Sequence, residues 1–200
     1  MKLTSLQKYI PGESTLMVVI ASFIGLAAGL ANILFRSTEE FVRHTLFDGG
    51  LMTFFGEGSL AVFHSGEVFL FKSFGIAALL LPLIPMLGMV LLIPLAYFFP
   101  GEVNGYGFTS FLRKVNLEGG RIRFRTILLK TFATSLTIGT GGSAGVEGPI
   151  AQVGGAVGSQ VGQFFRVSGD RMKVYIAAGC AGCIGAMFNA PMAGVFFASE

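Results

Sequence analysis

The composition of the 200 residues is far from that of a soluble domain. Hydrophobic residues make up 52% and charged residues 12%, and the mean hydropathy is +0.72. Soluble domains carry roughly a quarter charged residues, which argues against a soluble globular enzyme. The net charge of +3 comes from basic residues spread between apolar segments. Because they form no single basic patch, nucleic-acid binding is also disfavoured.

The apolar residues are clustered into stretches that contain no Asp, Glu, Lys or Arg: 14–35, 73–101, 131–146, 148–165 and 174–199. A helix needs about twenty apolar residues to cross the bilayer core. We therefore predict two full crossings, at about 15–35 and 73–99. The segment 36–72 between them is half polar and predicts a short interfacial helix.

The flanking charges predict the orientation. The connection 102–130 carries six basic residues against two acidic ones, whereas 36–72 mixes both signs. The positive-inside rule places the N-terminus and 102–130 in the cytoplasm and 36–72 outside. We expect a multi-pass protein of the cell membrane, plasma or bacterial inner. The first apolar segment is long and lacks a clear cleavage site, so it should remain as an anchor.

Glycines spaced by four predict close helix contacts. Gly25 and Gly29 form such a pair in the first crossing, and Gly154, Gly158 and Gly162 share one face of a later helix. Small residues at this spacing let a neighbouring backbone approach closely.

The two cysteines, Cys180 and Cys183, form a C-x-x-C pair within an uncharged stretch. In a soluble protein this spacing would suggest redox or zinc chemistry. Since the stretch offers no His or acidic partner, we interpret them as small packing residues and predict no metal site.

Residues 125–165 predict two short helices joined by irregular backbone. A helical stretch from Arg125 to about Ile138 meets five glycines within 139–148, closed by Pro149. Glycine past one helix end and proline at the start of the next is the expected asymmetry. Irregular backbone at membrane depth is tolerated only when it is buried in protein or lines a watery cavity. The linker therefore indicates an ion or substrate site.

Glu147 is the only ionisable residue between Lys130 and Arg166, and it directly precedes the second helix. The first amides of a helix are unpaired and carry the positive end of its dipole, where anions bind. An intramembrane carboxylate at this place is a functional candidate. The alternative is a structural cap on a buried helix end.

A second break follows at Phe188-Asn189-Ala190-Pro191, with a further short helix predicted from about Pro191. The apolar run before it, 174–188, spans roughly 22 Å as helix, less than a bilayer core. Short, interrupted apolar segments mark the binding sites of transporters built from inverted repeats. The predicted fold class is an all-α, multi-pass membrane bundle with tilted and broken helices, one part of such an inverted-repeat fold.

The run GGSAGVEGP at 141–149, combined with FNAPMAG at 188–194 and Glu200, resembles the CLC family of chloride channels and proton/chloride antiporters. The resemblance covers about 102–200. It implies that 1–200 is the N-terminal part of a CLC-type transmembrane domain whose second half is absent, and that the complete subunit forms a homodimer. The transported ions would be chloride and possibly protons, without a cofactor, through a voltage-gated channel or an antiporter.

The resemblance also implies roles for single residues. Glu147 would be the gating glutamate, which blocks the outer anion site when ionised and takes part in proton transfer in antiporters. The amides of Val146 and Gly148 would help hold the outer anion. The positive residue that commonly precedes the glutamate is replaced here by Val146.

The family's first selectivity loop, typically Gly-Ser-Gly-Ile-Pro, matches Gly105-Tyr106-Gly107-Phe108-Thr109. The resemblance makes Gly105, Tyr106 and Gly107 candidate anion ligands. Tyr106 replaces a compact serine, so its phenol either points at the anion or turns away and leaves coordination to the amides. With half a pore, residues 1–200 alone are expected to give no anion flux, and the faces around Gly154 and Gly158 are expected to lack a partner.

The sequence offers two rival functions. The first is a membrane enzyme that uses 139–148 as a phosphate cradle, but such a loop would need G-K-[S/T] after a strand. The sequence also offers no Ser/His or metal cluster for catalysis. We therefore expect that the protein is not an enzyme. A non-transporting packing or assembly subunit would use the glycine stripes alone and would not need Glu147.

Overall fold

The computed structural model describes residues 11–45, 83–101, 103 and 107–199. No strand occurs in these ranges, which confirms the all-α prediction. The described residues form seven helices in chain order: α1 (Pro11–Val42), α2 (Leu83–Phe98), α3 (Phe108–Leu117), α4 (Phe124–Gly139), α5 (Glu147–Phe164), α6 (Gly169–Phe188) and α7 (Pro191–Ser199).

The chain divides into two compact units. Unit 1 comprises Met1–Ile33, Phe108–Ile127 and Ile150–Glu200, and unit 2 comprises Leu34–Gly107 and Leu128–Pro149. Unit 1 therefore holds most of α1 and α5 with α3, α6 and α7. Unit 2 holds the end of α1, α2, most of α4 and the residues that lead into α5.

Helix α1 is longer than the predicted crossing. It continues past residue 35 to Val42, so the start of the predicted outer segment belongs to α1 and not to a separate interfacial helix. Arg36, Glu39 and Glu40 end the apolar stretch, but all three are good helix formers and do not end the helix. Residues 46–72 lie outside the described part of the chain.

In the described ranges, one helical stretch is long and apolar enough to cross a membrane. It is Thr15–Thr45, which is most of α1 with the three residues that follow it, and its most apolar window has a mean hydropathy of 2.3. A shorter apolar segment, Pro85–Phe98, forms most of α2. It lies within the second predicted crossing, whose first part, 73–82, is outside the described residues. Large apolar side chains on α1 and α2 face outward; Leu26 is 66% and Ile93 63% exposed.

Helices α5 and α6 of unit 1 pack backbone to backbone. A Cβ added at Gly154 would fall on the carbonyl oxygen of Gly179, and one at Gly158 on the carbonyl oxygen of Tyr175. The predicted contact face is confirmed, and its partner is α6 of the same chain. The expectation that this face lacks a partner within residues 1–200 is therefore wrong.

The same face continues at Gly162, where a Cβ would lie 2.6 Å from Sδ of Met172. The other predicted pair, on α1, is confirmed only in part. A Cβ at Gly182 of α6 would lie 3.2 Å from Cα of Gly25, but a Cβ added at Gly25 or at Gly29 itself would meet nothing within 4 Å.

Both cysteines are free and buried, as the packing interpretation predicts. The Cys180 thiol donates to the carbonyl oxygen of Ala151 at 3.2 Å, and the Cys183 thiol to that of Ala28 at 3.1 Å. The two thiols thus tie α6 to α5 and to α1 within unit 1.

Candidate anion-binding site

Two backbone hydrogen bonds end helix α4 directly before the candidate site. The N–H of Gly142 donates to the carbonyl of Thr137, and the N–H of Gly141 to that of Ile138, both at 2.9 Å. This pair of bonds is a Schellman motif. Gly141 has φ of +87°, and a Cβ at Gly142 would lie 2.5 Å from the Thr137 oxygen. Glycine is therefore favoured at Gly141 by its backbone conformation, and the close Thr137 oxygen leaves no room for a Cβ at Gly142.

Two other helices of unit 2 contact the end of α4. A Cβ at Gly88 of α2 would fall on Oγ1 of Thr140. A Cβ at Gly139 would lie 2.8 Å from Cγ1 of Val42, at the end of α1. Thr140 is 2% exposed, and its hydroxyl donates to the carbonyl of Leu136 at 2.7 Å. The start of the linker is thus held by packing on two sides.

The predicted linker is confirmed with narrower bounds. Residues 140–146 are not helical, while Gly139 is the last residue of α4 and Glu147 the first of α5. Pro149 is consequently the third residue of α5 rather than its first. Its missing N–H removes no intrahelical bond there, because the first amides of a helix have no partner in the helix. Ser143, Ala144 and Gly145 are exposed.

Glu147 is exposed, and its carboxylate turns back over the linker. A Cβ at Gly145 would lie 2.5 Å from Oε2 of Glu147. None of the described residues donates a hydrogen bond to this carboxylate. A buried helix cap would be enclosed and would accept from the first-turn amides, and neither feature is seen among the described residues.

The residues on either side of Glu147 are partly exposed. Val146 and Gly148 are half-buried, and nothing lies within 4 Å of a Cβ at Gly148. The structure places these two candidates directly on either side of Glu147 at the start of α5. The positive end of the α5 dipole and its unpaired first amides therefore lie at a partly exposed turn.

The other predicted anion loop lies largely outside the described residues. Gly105 and Tyr106 lie outside the described residues. Gly107 is exposed, directly precedes α3, and has nothing within 4 Å of a Cβ.

The second predicted break is confirmed at Asn189, which ends α6 in a left-handed conformation with φ of 53°. The N–H groups of Asn189 and Ala190 both donate to the carbonyl of Gly185, and Pro191 then begins α7. A cavity of about 460 Å³ lies beside this break between α6 and α7. It is lined by Ala181, Gly182, Gly185, Ala186, Asn189, Pro191 and Val195.

The length predicted for the helix before this break is wrong. Helix α6 begins at Gly169 and has 20 residues, about 30 Å. Its first turns contain Asp170, Arg171 and Lys173, which bounded the apolar run without preventing helix formation. Asp170 is favourable in the first turn because it faces the positive end of the dipole.

A family model described as "Voltage gated chloride channel" matches residues 86–200 of the chain, from α2 through both helix breaks. The chain belongs to the voltage-gated chloride channel (CLC) family. It is thus an α-helical integral membrane protein, as the sequence predicts.

Curated relatives match a shorter part of this CLC protein. The "H(+)/Cl(-) exchange transporter ClcA" of Vibrio cholerae serotype O1 is 42% identical over 78 residues, which is 38% of this chain and 17% of the relative. The proteins of the same name from Vibrio vulnificus and Vibrio parahaemolyticus are 44% and 42% identical over the same lengths and shares. The matched part therefore spans about a sixth of these relatives.

Proposed function

We propose that this protein transports chloride across the cell membrane as a CLC channel or proton/chloride antiporter, with Glu147 as its gate. The observation that carries the proposal is the exposed carboxylate at the start of α5, which accepts no hydrogen bond from the described residues. The names of the curated relatives, which are proton/chloride exchange transporters, support the same ions.

Gating follows from competition for one electrostatic position. The amides and dipole of α5 favour a negative charge at its N-terminus. An ionised Glu147 and a chloride ion are both stabilised at that position, so the carboxylate excludes the anion. Protonation removes the negative charge and frees the amides of Val146 and Gly148 for chloride. In an antiporter, the proton and the anion would then alternate at the site.

The remaining expectations complete the proposal. Gly105, Tyr106 and Gly107 would supply further anion ligands, and the N-terminus and 102–130 would lie in the cytoplasm. The complete pore would need a second membrane half, and the complete subunit would form a homodimer.

The alternative is a packing or assembly subunit that transports nothing. The contacts of Gly154 and Gly158 with α6 fully explain those glycines, so the stripe itself does not favour transport. Packing does not explain the exposed Glu147 carboxylate, which is why transport is preferred.

Thiol labelling tests whether the linker lines an anion path. With Cys180 and Cys183 replaced by Ala, a single cysteine at Ser143 in the intact membrane protein should react quickly with a small hydrophilic thiol reagent. Chloride should slow this reaction, because the bound anion would shield the site. A cysteine at Leu26, which is 66% exposed on apolar α1, is the lipid-facing control. Labelling at Ser143 as slow as at Leu26, or insensitive to chloride, would count against an anion path.

Tyr106 provides a separate prediction about anion coordination. If its phenol donates to chloride, Tyr106→Phe should weaken chloride binding by about tenfold, since a hydrogen bond to a charged group contributes roughly 1.5–3 kcal/mol. Tyr106→Ser should keep or improve chloride selectivity. Chloride binding measured by calorimetry would be compared with Tyr97→Phe, a control on α2 that is 80% exposed. Equal binding by all variants would show that the backbone alone coordinates.

A further inference from the structure

The loop between α3 and α4 is fixed to α5 by buried hydrogen bonds on both sides of Arg121. The Ser159 hydroxyl is fully buried; it donates to the carbonyl of Gly120 at 2.6 Å and accepts from the N–H of Ile122 at 3.0 Å. Nε2 of Gln163 donates to the carbonyl of Ile122 at 2.8 Å. The backbone direction at Arg121 is therefore set, although its side chain is exposed.

The end of α5 places a second arginine where glycine is the usual residue. The N–H of Val167 donates to the carbonyl of Gly162 at 3.1 Å, and the N–H of Arg166 to that of Gln163 at 3.2 Å. In this Schellman motif Arg166 occupies the left-handed position, with φ of 50°. A residue with a Cβ incurs a conformational cost there that glycine avoids. Such an outlier points to a use for the side chain.

The two arginines line one cavity of unit 1. Its volume is about 350 Å³, and it is lined by Arg121, Gly162, Gln163, Arg166, Val167 and Met172. Within the described part of the chain, neither guanidinium has an ion-pair or hydrogen-bond partner. Next to the cavity, the last residue of α5 and its neighbour are exposed aromatics; Phe164 is 82% and Phe165 51% exposed.

We propose that this cavity binds the phosphate group of an anionic phospholipid. Guanidinium groups bind phosphate oxygens through paired N–H bonds, and two of them line the cavity. The apolar surface of Phe164 and Phe165 suits the acyl chains that accompany a lipid phosphate but not a free phosphate ion. A choline headgroup would bring its ammonium next to two arginines, so a lipid with net negative charge is preferred. The cavity is separate from Glu147 and its proposed role.

Native mass spectrometry of the purified full chain, titrated with phosphatidylglycerol, tests the site. Arg121→Gln and Arg166→Gln should each weaken retention of this lipid by about tenfold, the effect of losing one charged hydrogen bond. Arg113→Gln is the matched control, because its guanidinium lies on α3, 3.8 Å from Glu118, and does not line the cavity. Phosphatidylcholine should bind weakly to all four proteins.

Arg166→Gly separates binding from folding. Glycine suits the left-handed position, so this variant should be at least as heat-stable in neutral lipid as the parent protein while losing phosphatidylglycerol. Retention of the lipid by Arg166→Gly and Arg121→Gln at the parent level would overturn the proposal. Displacement of the lipid by inorganic phosphate at equal concentration would show that the cavity takes free phosphate, and would overturn the lipid assignment.

Discussion

Replacing Glu147 with Gln in the intact protein is expected to leave chloride flux in place and to abolish proton movement against a chloride gradient. The amide keeps the shape of the side chain but carries no negative charge, so it does not compete with chloride at the start of α5. It also takes up and releases no proton. The effect is therefore a complete loss of coupling rather than a partial loss of rate.

Paired chloride and proton fluxes in proteoliposomes, under an imposed chloride gradient, measure this coupling. Glu118→Gln is the control, since Glu118 is an exposed carboxylate that pairs with Arg113 at the end of α3. It should leave both fluxes unchanged. If the Glu147→Gln protein still drives protons uphill, or folds normally and loses chloride flux, the gate assignment is wrong.

The broken helices were predictable because their signals are local. Gly141 and Gly142 end α4, and Pro149 fits the first turn of α5, for reasons that involve only neighbouring residues. The left-handed turn at Asn189 before Pro191 is of the same kind. These breaks position Glu147, so the main candidate residue could be located from sequence alone.

Helix lengths were predicted less well because the prediction relied on uncharged stretches. Charged residues mark where an apolar run stops, not where helical hydrogen bonding stops. Helix α1 continues through Glu39 and Glu40 to Val42, and α6 begins before Lys173. Helix propensity and dipole effects decide those boundaries.

Packing partners were missed where the contact involves backbone atoms. The glycine stripe of α5 was visible in the sequence, but its contact with Tyr175 was not. Gly158 meets the carbonyl oxygen of Tyr175, and every residue type has such an oxygen. A usable signal was Gly179 on α6, where an added Cβ would fall on the carbonyl oxygen of Gly154.

The lipid cavity had a fainter signal. Ser159, Gln160 and Gln163 cluster near the end of a mostly apolar helix, and polar side chains there need partners. The sequence does not say that the partner is the loop at Arg121, since that pairing joins residues about forty positions apart.

The largest expected loss of stability is from Gly158→Ala. The added Cβ would fall on the carbonyl oxygen of Tyr175, in a contact between two backbones that no rotamer change relieves. Helices α5 and α6 must move apart, at a cost of about 1–3 kcal/mol or more for overpacking.

Gly29→Ala is the matched control: it is a glycine of the other small-residue pair, in the interior of α1, with nothing within 4 Å of an added Cβ. Alanine there should be neutral or stabilising by up to about 1 kcal/mol, because it favours the helix. Thermal unfolding of both variants in the same detergent, followed by circular dichroism, should move the two midpoints in different directions or leave only Gly158→Ala lowered. Equal shifts would show that Gly158 and the Tyr175 carbonyl are not in close contact, and that the glycine stripe serves helix flexibility rather than packing.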